Sequence, residues 1–215
     1  MNLENFRSMP IIGILRGIDA EMIEPLVDAV ISAGLKTLEI TMNTKGASAL
    51  IRKAKDVSGS RLTLGAGTVL TMQDLENALE NGASFIVMPV LIEDIVKYCL
   101  KNKIPVFPGA LTPREIYHAW DMGATMVKVF PAKFFGPEYF RQIKGPFNKI
   151  KLLACGGVTS ENLKDYFLNG ADAVTFGASI FRNDWLLNRD FKTICSAVKD
   201  FIGSWESFCS LNKSC

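Results

Sequence analysis

VFPGALTPREIYHAWDMGATMVKVFPA, residues 106–132, holds one complete strand–helix–strand unit and decides the fold. It opens with a short apolar run, 106–110, of strand character. Thr112-Pro113-Arg114-Glu115 then has the form of a capping box with proline at the first helical position, so a helix is expected over 113–121. Met122-Gly123 closes that helix as a left-handed glycine cap does. The second apolar run, Met126-Val127-Lys128-Val129-Phe130-Pro131, reads as a buried strand with one ammonium in its middle. Two strands joined through a helix form a parallel pair.

The same unit recurs along the chain. Strands are expected at 11–16, 37–42, 63–69, 85–89, 106–110, 126–131, 151–155 and 173–177, and helices at 20–33, 45–56, 72–81, 92–101, 113–121, 138–143, 161–168 and 190–201. Gly34, Gly82, Gly123 and Gly170 mark helix ends, and Thr71, Thr112 and Ser160 stand where N-caps belong. Strict alternation of this kind implies a parallel sheet. Eight units without a Pro/Gly/Ser-rich linker imply an α/β fold, a single (β/α)8 TIM barrel spanning residues 1–215 as one domain. The rival is an open doubly wound sheet, and the count of eight favours the barrel.

The totals narrow the function. With 215 residues, 48% hydrophobic, 21% charged and a net charge of +2, the chain has material for a large core and no basic block, so neither nucleic acid nor a membrane surface is expected as partner. The apolar part of the N-terminus, residues 10–15, is too short for a signal peptide or a bilayer span, which points to a cytoplasmic protein. Five scattered cysteines (Cys99, Cys155, Cys195, Cys209 and Cys215) argue against a disulfide framework; Cys155 is expected in the core and the two tail cysteines at the surface. The single histidine, His118, falls in a helix, which removes Ser-His-Asp and Cys-His mechanisms and most zinc sites.

Lys128 carries the chemical interest. A buried ammonium is costly to desolvate, and a neutral primary amine in such a place is a Schiff-base nucleophile. The alternatives are a lysine paired to a core carboxylate, or one whose stem alone is buried. Alternation along the second strand puts Glu39, Thr41 and Asn43 on one face and Leu38, Ile40 and Met42 on the other, so Glu39 is expected to point into the barrel. The same argument turns Lys128, Met126 and Phe130 inward, with Ile12, Ile14 and Arg16 on the first strand and Leu64, Ala66 and Thr68 on the third. Gly65 and Gly67 then face the helices, and Thr68 becomes a donor for a substrate carboxylate. Cys155-Gly156-Gly157-Val158-Thr159 and Gly177-Ala178-Ser179 end the seventh and eighth strands. In barrels those loops, with a short extra helix, often bind phosphate through backbone N–H groups.

Ile14-Leu15-Arg16-Gly17-Ile18, Leu38-Glu39-Ile40-Thr41, Gly65-Ala66-Gly67-Thr68-Val69, Lys128-Val129-Phe130-Pro131-Ala132 and Gly156-Gly157-Val158 together resemble the class I 2-keto-3-deoxy-6-phosphogluconate / 4-hydroxy-2-oxoglutarate aldolase family. The resemblance runs the length of the chain in the family's motif order. It implies a barrel assembled as a homotrimer, acting in sugar-acid breakdown of the Entner–Doudoroff type on a phosphorylated keto acid, without metal or cofactor. It also implies that Lys128 forms the Schiff base and Glu39 is the general acid/base. Arg16 and Thr68 would contact substrate, Pro89 and Phe130 would line the pocket, and Gly156, Gly157, Gly177 and Ser179 would lie near the distal phosphate.

One position departs from the pattern. The phosphogluconate branch carries arginine four residues after the catalytic glutamate, where this chain has Asn43, a residue unable to form a charged bidentate clamp. There, and at Phe135-Gly136-Pro137, the chain is more similar to the 2-keto-3-deoxy-6-phosphogalactonate branch, while Thr44 keeps the phosphogluconate form. The expected substrate is 2-keto-3-deoxy-6-phosphogluconate, with 4-hydroxy-2-oxoglutarate beside it and the phosphogalactonate as alternative. A phosphosugar isomerase or epimerase, or a silent phosphosugar-binding barrel, are the rivals from other classes.

Overall fold

The structure is a computed structural model and describes residues 1–211. Nine strand segments, all paired in parallel, run in the order β5-β4-β3-β2-β1-β9-β8-β7-β6. They are β1 (Ile11–Leu15), β2 (Thr37–Thr41), β3 (Thr63–Gly67), β4 (Ile86–Val87), β5 (Val106–Phe107), β6 (Gly109–Ala110), β7 (Val127–Val129), β8 (Leu152–Ala154) and β9 (Ala173–Phe176). The two ends of that order, β5 and β6, are one stretch of chain interrupted at Pro108. Proline has no N–H for the ladder and divides the strand, but its carbonyl still accepts the Lys128 N–H at 2.8 Å. The stretch therefore bonds β4 on one side and β7 on the other, and eight staves close into the expected barrel.

Eight helices form the outer layer: α2 (Ile23–Ser32), α3 (Ala47–Ser58), α4 (Met72–Glu80), α5 (Glu93–Lys101), α6 (Pro113–Asp121), α7 (Gly136–Lys144), α8 (Leu163–Leu168) and α10 (Phe191–Leu211). Capping boxes start α4 at Thr71/Asp74 and α6 at Thr112/Glu115. The four cap glycines all have positive φ. Ser160 caps nothing: α8 begins later, and the serine hydroxyl donates to Glu161 instead. Helix α10 runs on through Leu211 and buries Trp205, so most of the tail is packed helix. Cys209 is accordingly half-buried against the core, not exposed as expected; Cys215 lies outside the described residues. Among the described residues no helix is long and apolar enough to cross a membrane.

Helix α1 (Leu3–Ser8), the 3₁₀ turn Ala132–Phe134 and α9 (Asn183–Leu187) are too short to show a periodic pattern in the sequence. Helix α1 is capped by Asn2 and drives Phe6 against Phe107, which also meets Phe85 edge-on, with centroids 6.0 and 5.9 Å apart. These rings form an inner core with Ile12, Val87, Met126, Leu153 and Ala173. Leu38, Ile40, Leu64 and Ala66 belong instead to the larger core between sheet and helices.

That division corrects the reading of β3. Glu39 pairs with Gly65 and Thr41 with Gly67, so the two glycines, and not Leu64 and Ala66, face the interior. Bulky neighbours enforce it: a methyl on Gly65 would enter the Phe85 ring, and one on Gly67 would overlap Glu39 Oε1. Gly65→Ala should therefore destabilise the fold by roughly 1–3 kcal/mol through overpacking. Chemical denaturation of wild type and variant measures this, and equal midpoints would mean that Phe85 yields freely.

Candidate active site

Glu39 sits mid-way along β2 and is 1% exposed. Gly67 gives its carboxylate room, and Oε2 has no hydrogen-bond partner. Burial holds its carboxyl above the ordinary value near 4.5, against the opposing pull of the Lys128 and Arg16 charges.

Lys128 occupies the middle of β7 at 4% exposure. Its neighbours in the ladder are Gly109 and Leu153, and its Nζ lies 5.3 Å from the centre of the Phe130 ring. Gly109 is bare because the Pro89 carbonyl occupies the space of a side chain there. Phe130 thus stands beside the amine, and Pro89 lies against Gly109, the residue next to Lys128 in the ladder. Glu39 and Lys128 share the interior without a direct ion-pair contact, although the Lys128 charge still acts on the Glu39 carboxyl.

Arg16, just past β1 and exposed, donates through Nη2 to Thr68 Oγ1 at 3.3 Å. Thr68 does not reach the rim by strand alternation, which would turn it outward. Its φ of +55° bends the chain after Gly67 and redirects the side chain. Asn43 is exposed on the turn after β2. Gly156 and Gly157 follow β8 with φ of +96° and +83°, a geometry that favours glycine. Gly177 follows β9, and Ser179 donates its hydroxyl to the Val158 carbonyl at 3.1 Å, joining the last two loops. The short helix α9 comes next, as in barrels with a phosphate site there. His118 lies on the outer face of α6, 3.2 Å from Glu93.

Two features escaped the sequence reading. The stem of Lys133 lies across Gly157, leaving no room for a side chain there. Thr44, buried after β2, accepts the Gly17 N–H at 3.0 Å and lies 3.0 Å from Thr41 Oγ1. The Thr41-x-x-Thr44 spacing was the available sign of the second. Among the described residues no group of three or more His, Cys, Asp or Glu is placed to hold a metal.

The barrel thus encloses a buried amine and a buried carboxyl with an unpartnered oxygen, with an exposed arginine on the loop after β1, and comparison with known proteins gives the family. The model of the aldolase family "KDPG and KHG aldolase" matches residues 3–197. The chain is 31% identical over 194 residues to the 2-dehydro-3-deoxy-6-phosphogalactonate aldolase of Escherichia coli, covering 90% of this chain and 95% of that one. It is 36% identical over 161 residues to the 2-dehydro-3-deoxy-phosphogluconate aldolase of Pseudomonas aeruginosa, covering 74% and 71%. The KDPG aldolase of Legionella pneumophila, solved with pyruvate captured as a covalent carbinolamine, superposes with a TM-score of 0.83 at 26% identity over 90% of this chain and 94% of that one. The chain belongs to the KDPG and KHG aldolase family and is a carbon–carbon lyase. This sets aside the isomerase, epimerase and silent-binding alternatives.

The raised Glu39 carboxyl has a stability consequence. Above pH 4.5 the unfolded chain has released this proton while the folded chain retains it. Wild-type stability should therefore fall with rising pH across the interval up to the folded value. Glu39→Gln should lose that slope, so the variant's denaturation midpoint should gain on wild type from acid to neutral pH. A constant difference would show that burial does not hold the proton.

Proposed function

We propose that this protein is a one-domain class I aldolase that cleaves 2-keto-3-deoxy-6-phosphogluconate, and 4-hydroxy-2-oxoglutarate beside it, through a Schiff base on Lys128. The observation that carries the reading is a lysine and a carboxyl buried together with no ion pair between them. The covalent carbinolamine of the Legionella relative supports the same chemistry. The neutral form of Lys128 Nζ adds to the C2 ketone to give a carbinolamine. Glu39, directly or through water, delivers the proton with which hydroxide leaves as water, and the iminium forms. The same carboxylate then takes the C4 hydroxyl proton, the C3–C4 bond breaks, and its electron pair moves into the iminium as an enamine. The aldehyde departs, glyceraldehyde 3-phosphate from the phosphorylated hexonate or glyoxylate from hydroxyoxoglutarate. Protonation at C3 and hydrolysis release pyruvate and restore the amine. The scheme routes no step through a metal or cofactor.

In this reading Thr68 and Arg16 hold substrate anions, Phe130 and Pro89 wall the pyruvyl end, and Gly156, Gly157, Gly177 and Ser179 cradle the distal phosphate. The positive φ of Gly156 and Gly157 suits the cradle, since it lets the backbone turn N–H groups toward an anion. The second reading is a 2-keto-3-deoxy-6-phosphogalactonate aldolase. Asn43, in place of a charged clamp, favours it, as does the likeness to the E. coli phosphogalactonate enzyme along most of both chains. A cytoplasmic homotrimer completes the proposal. The exposed Leu70, Val90, Phe134 and Phe135, on the connections that follow β3, β4 and β7, suit such an assembly.

Incubation with pyruvate and borohydride should add one reduced pyruvyl group, mapped by mass spectrometry to the peptide carrying Lys128. An unmodified Lys128 would remove covalent catalysis from the proposal. Parallel kinetics on the phosphogluconate, the phosphogalactonate and hydroxyoxoglutarate should give the highest kcat/KM for the phosphogluconate, and a higher value for the phosphogalactonate would establish the second reading.

A further inference from the structure

Thr44 takes no part in the scheme above, yet it is buried at 5% exposure and held from several sides. Its backbone N–H donates to the Thr41 carbonyl at 2.9 Å, and its carbonyl accepts the Ala47 N–H at 3.1 Å. Its Oγ1 lies 3.0 Å from Thr41 Oγ1 and accepts the Gly17 N–H at 3.0 Å. Thr41 is itself fully buried, two residues beyond Glu39 on the same face of β2, and its methyl packs at Gly67. The Thr44 hydroxyl is thus a rigid peg rooted in the strand that carries the acid. What it holds is less constrained: Gly17 is exposed, has φ of +63° and directly follows Arg16. The Arg16 side chain is exposed, and its 3.3 Å bond to Thr68 is long for a guanidinium–hydroxyl contact. A tether on the adjacent backbone therefore limits where this cation can go.

We propose that Thr44 is a positioning residue for the aldol site: its hydroxyl, backed by Thr41, pins the Arg16–Gly17 backbone so that the guanidinium stays over the mouth, within reach of a substrate anion and of Glu39. The inference rests on the aldolase reading of Arg16 and Glu39. Lys128 and Arg16 are the charged groups acting on Glu39, so a loosened Arg16 removes one of the two influences that favour the ionised carboxylate. Loss of the peg should weaken substrate binding and displace the Glu39 titration together, a pair of effects that simple loss of packing would not produce.

The test compares wild type, Thr44→Val and Thr44→Ser. Valine keeps the shape and removes the acceptor; serine keeps the oxygen. Because Gly17 is exposed, water can take its N–H in the valine variant, and the fold should survive. Hydrogen exchange at the Gly17 amide should be slow in wild type and fast in Thr44→Val. KM for the phosphorylated keto acid should rise on the order of three- to tenfold, the worth of one hydrogen bond, with a smaller change in kcat. The Glu39-dependent limb of the pH–rate profile should move to higher pH, and Thr44→Ser should restore all three readouts. Pyruvate trapping at Lys128 should proceed in every variant. Absence of the adduct in wild type overturns the underlying Schiff-base reading, while the exchange measurement still judges the peg. Unchanged Gly17 exchange, or a valine variant whose KM and pH limb match wild type whatever its melting temperature, overturns the positioning role.

Discussion

The site depends on a carboxyl group placed where water cannot solvate it. Glu39 is enclosed in the barrel with one oxygen unpartnered, and leaving a buried polar atom unsatisfied costs roughly 1–3 kcal/mol. The surrounding structure bears that cost. Gly67 clears a notch for the carboxylate, Phe85 fills the space of Gly65 beneath it, and the aromatic floor of Phe6, Phe85 and Phe107 seals the opposite end of the barrel. A group kept in this state holds its proton more firmly than a surface glutamate does. A buried carboxyl left unpaired at a cost to stability suits the acid/base role proposed for it.

The barrel brings the amine to the acid because closure fixes which staves face each other. Pro108 divides the fifth stave without opening the cylinder, since a proline gives up only its N–H. The loops that leave the strands then meet at one mouth. Arg16 reaches Thr68, Ser179 ties the last two loops together, and Thr44 fastens the first loop to the second. These links are single hydrogen bonds between neighbouring loops.

Much of this was legible in the chain. The eight strand–helix units follow from alternation and from caps such as Thr71 and Thr112, whose signals are local. The inward direction of Glu39 and Lys128 follows from strand period. The same period failed on β3: taken alone, Leu64-Gly65-Ala66-Gly67 turns its larger side chains toward either face equally well. The register with β2 settles the choice, because the glycines must lie beside Glu39 and Thr41. Ser160 resembled a cap and is not one, since α8 starts further on, and short α1 and α9 left no periodic trace.

By itself the sequence determined the order of elements, the barrel class and the inward direction of Lys128 and Glu39, because these depend on residue type and short-range spacing. Only the tertiary structure decided that the two are not an ion pair, that Gly67 makes room for the acid, and that a threonine three residues past the end of its strand grips the loop carrying the arginine. Those facts arise between segments 27 to 89 residues apart in the chain, where register and closure set distances that no local pattern encodes.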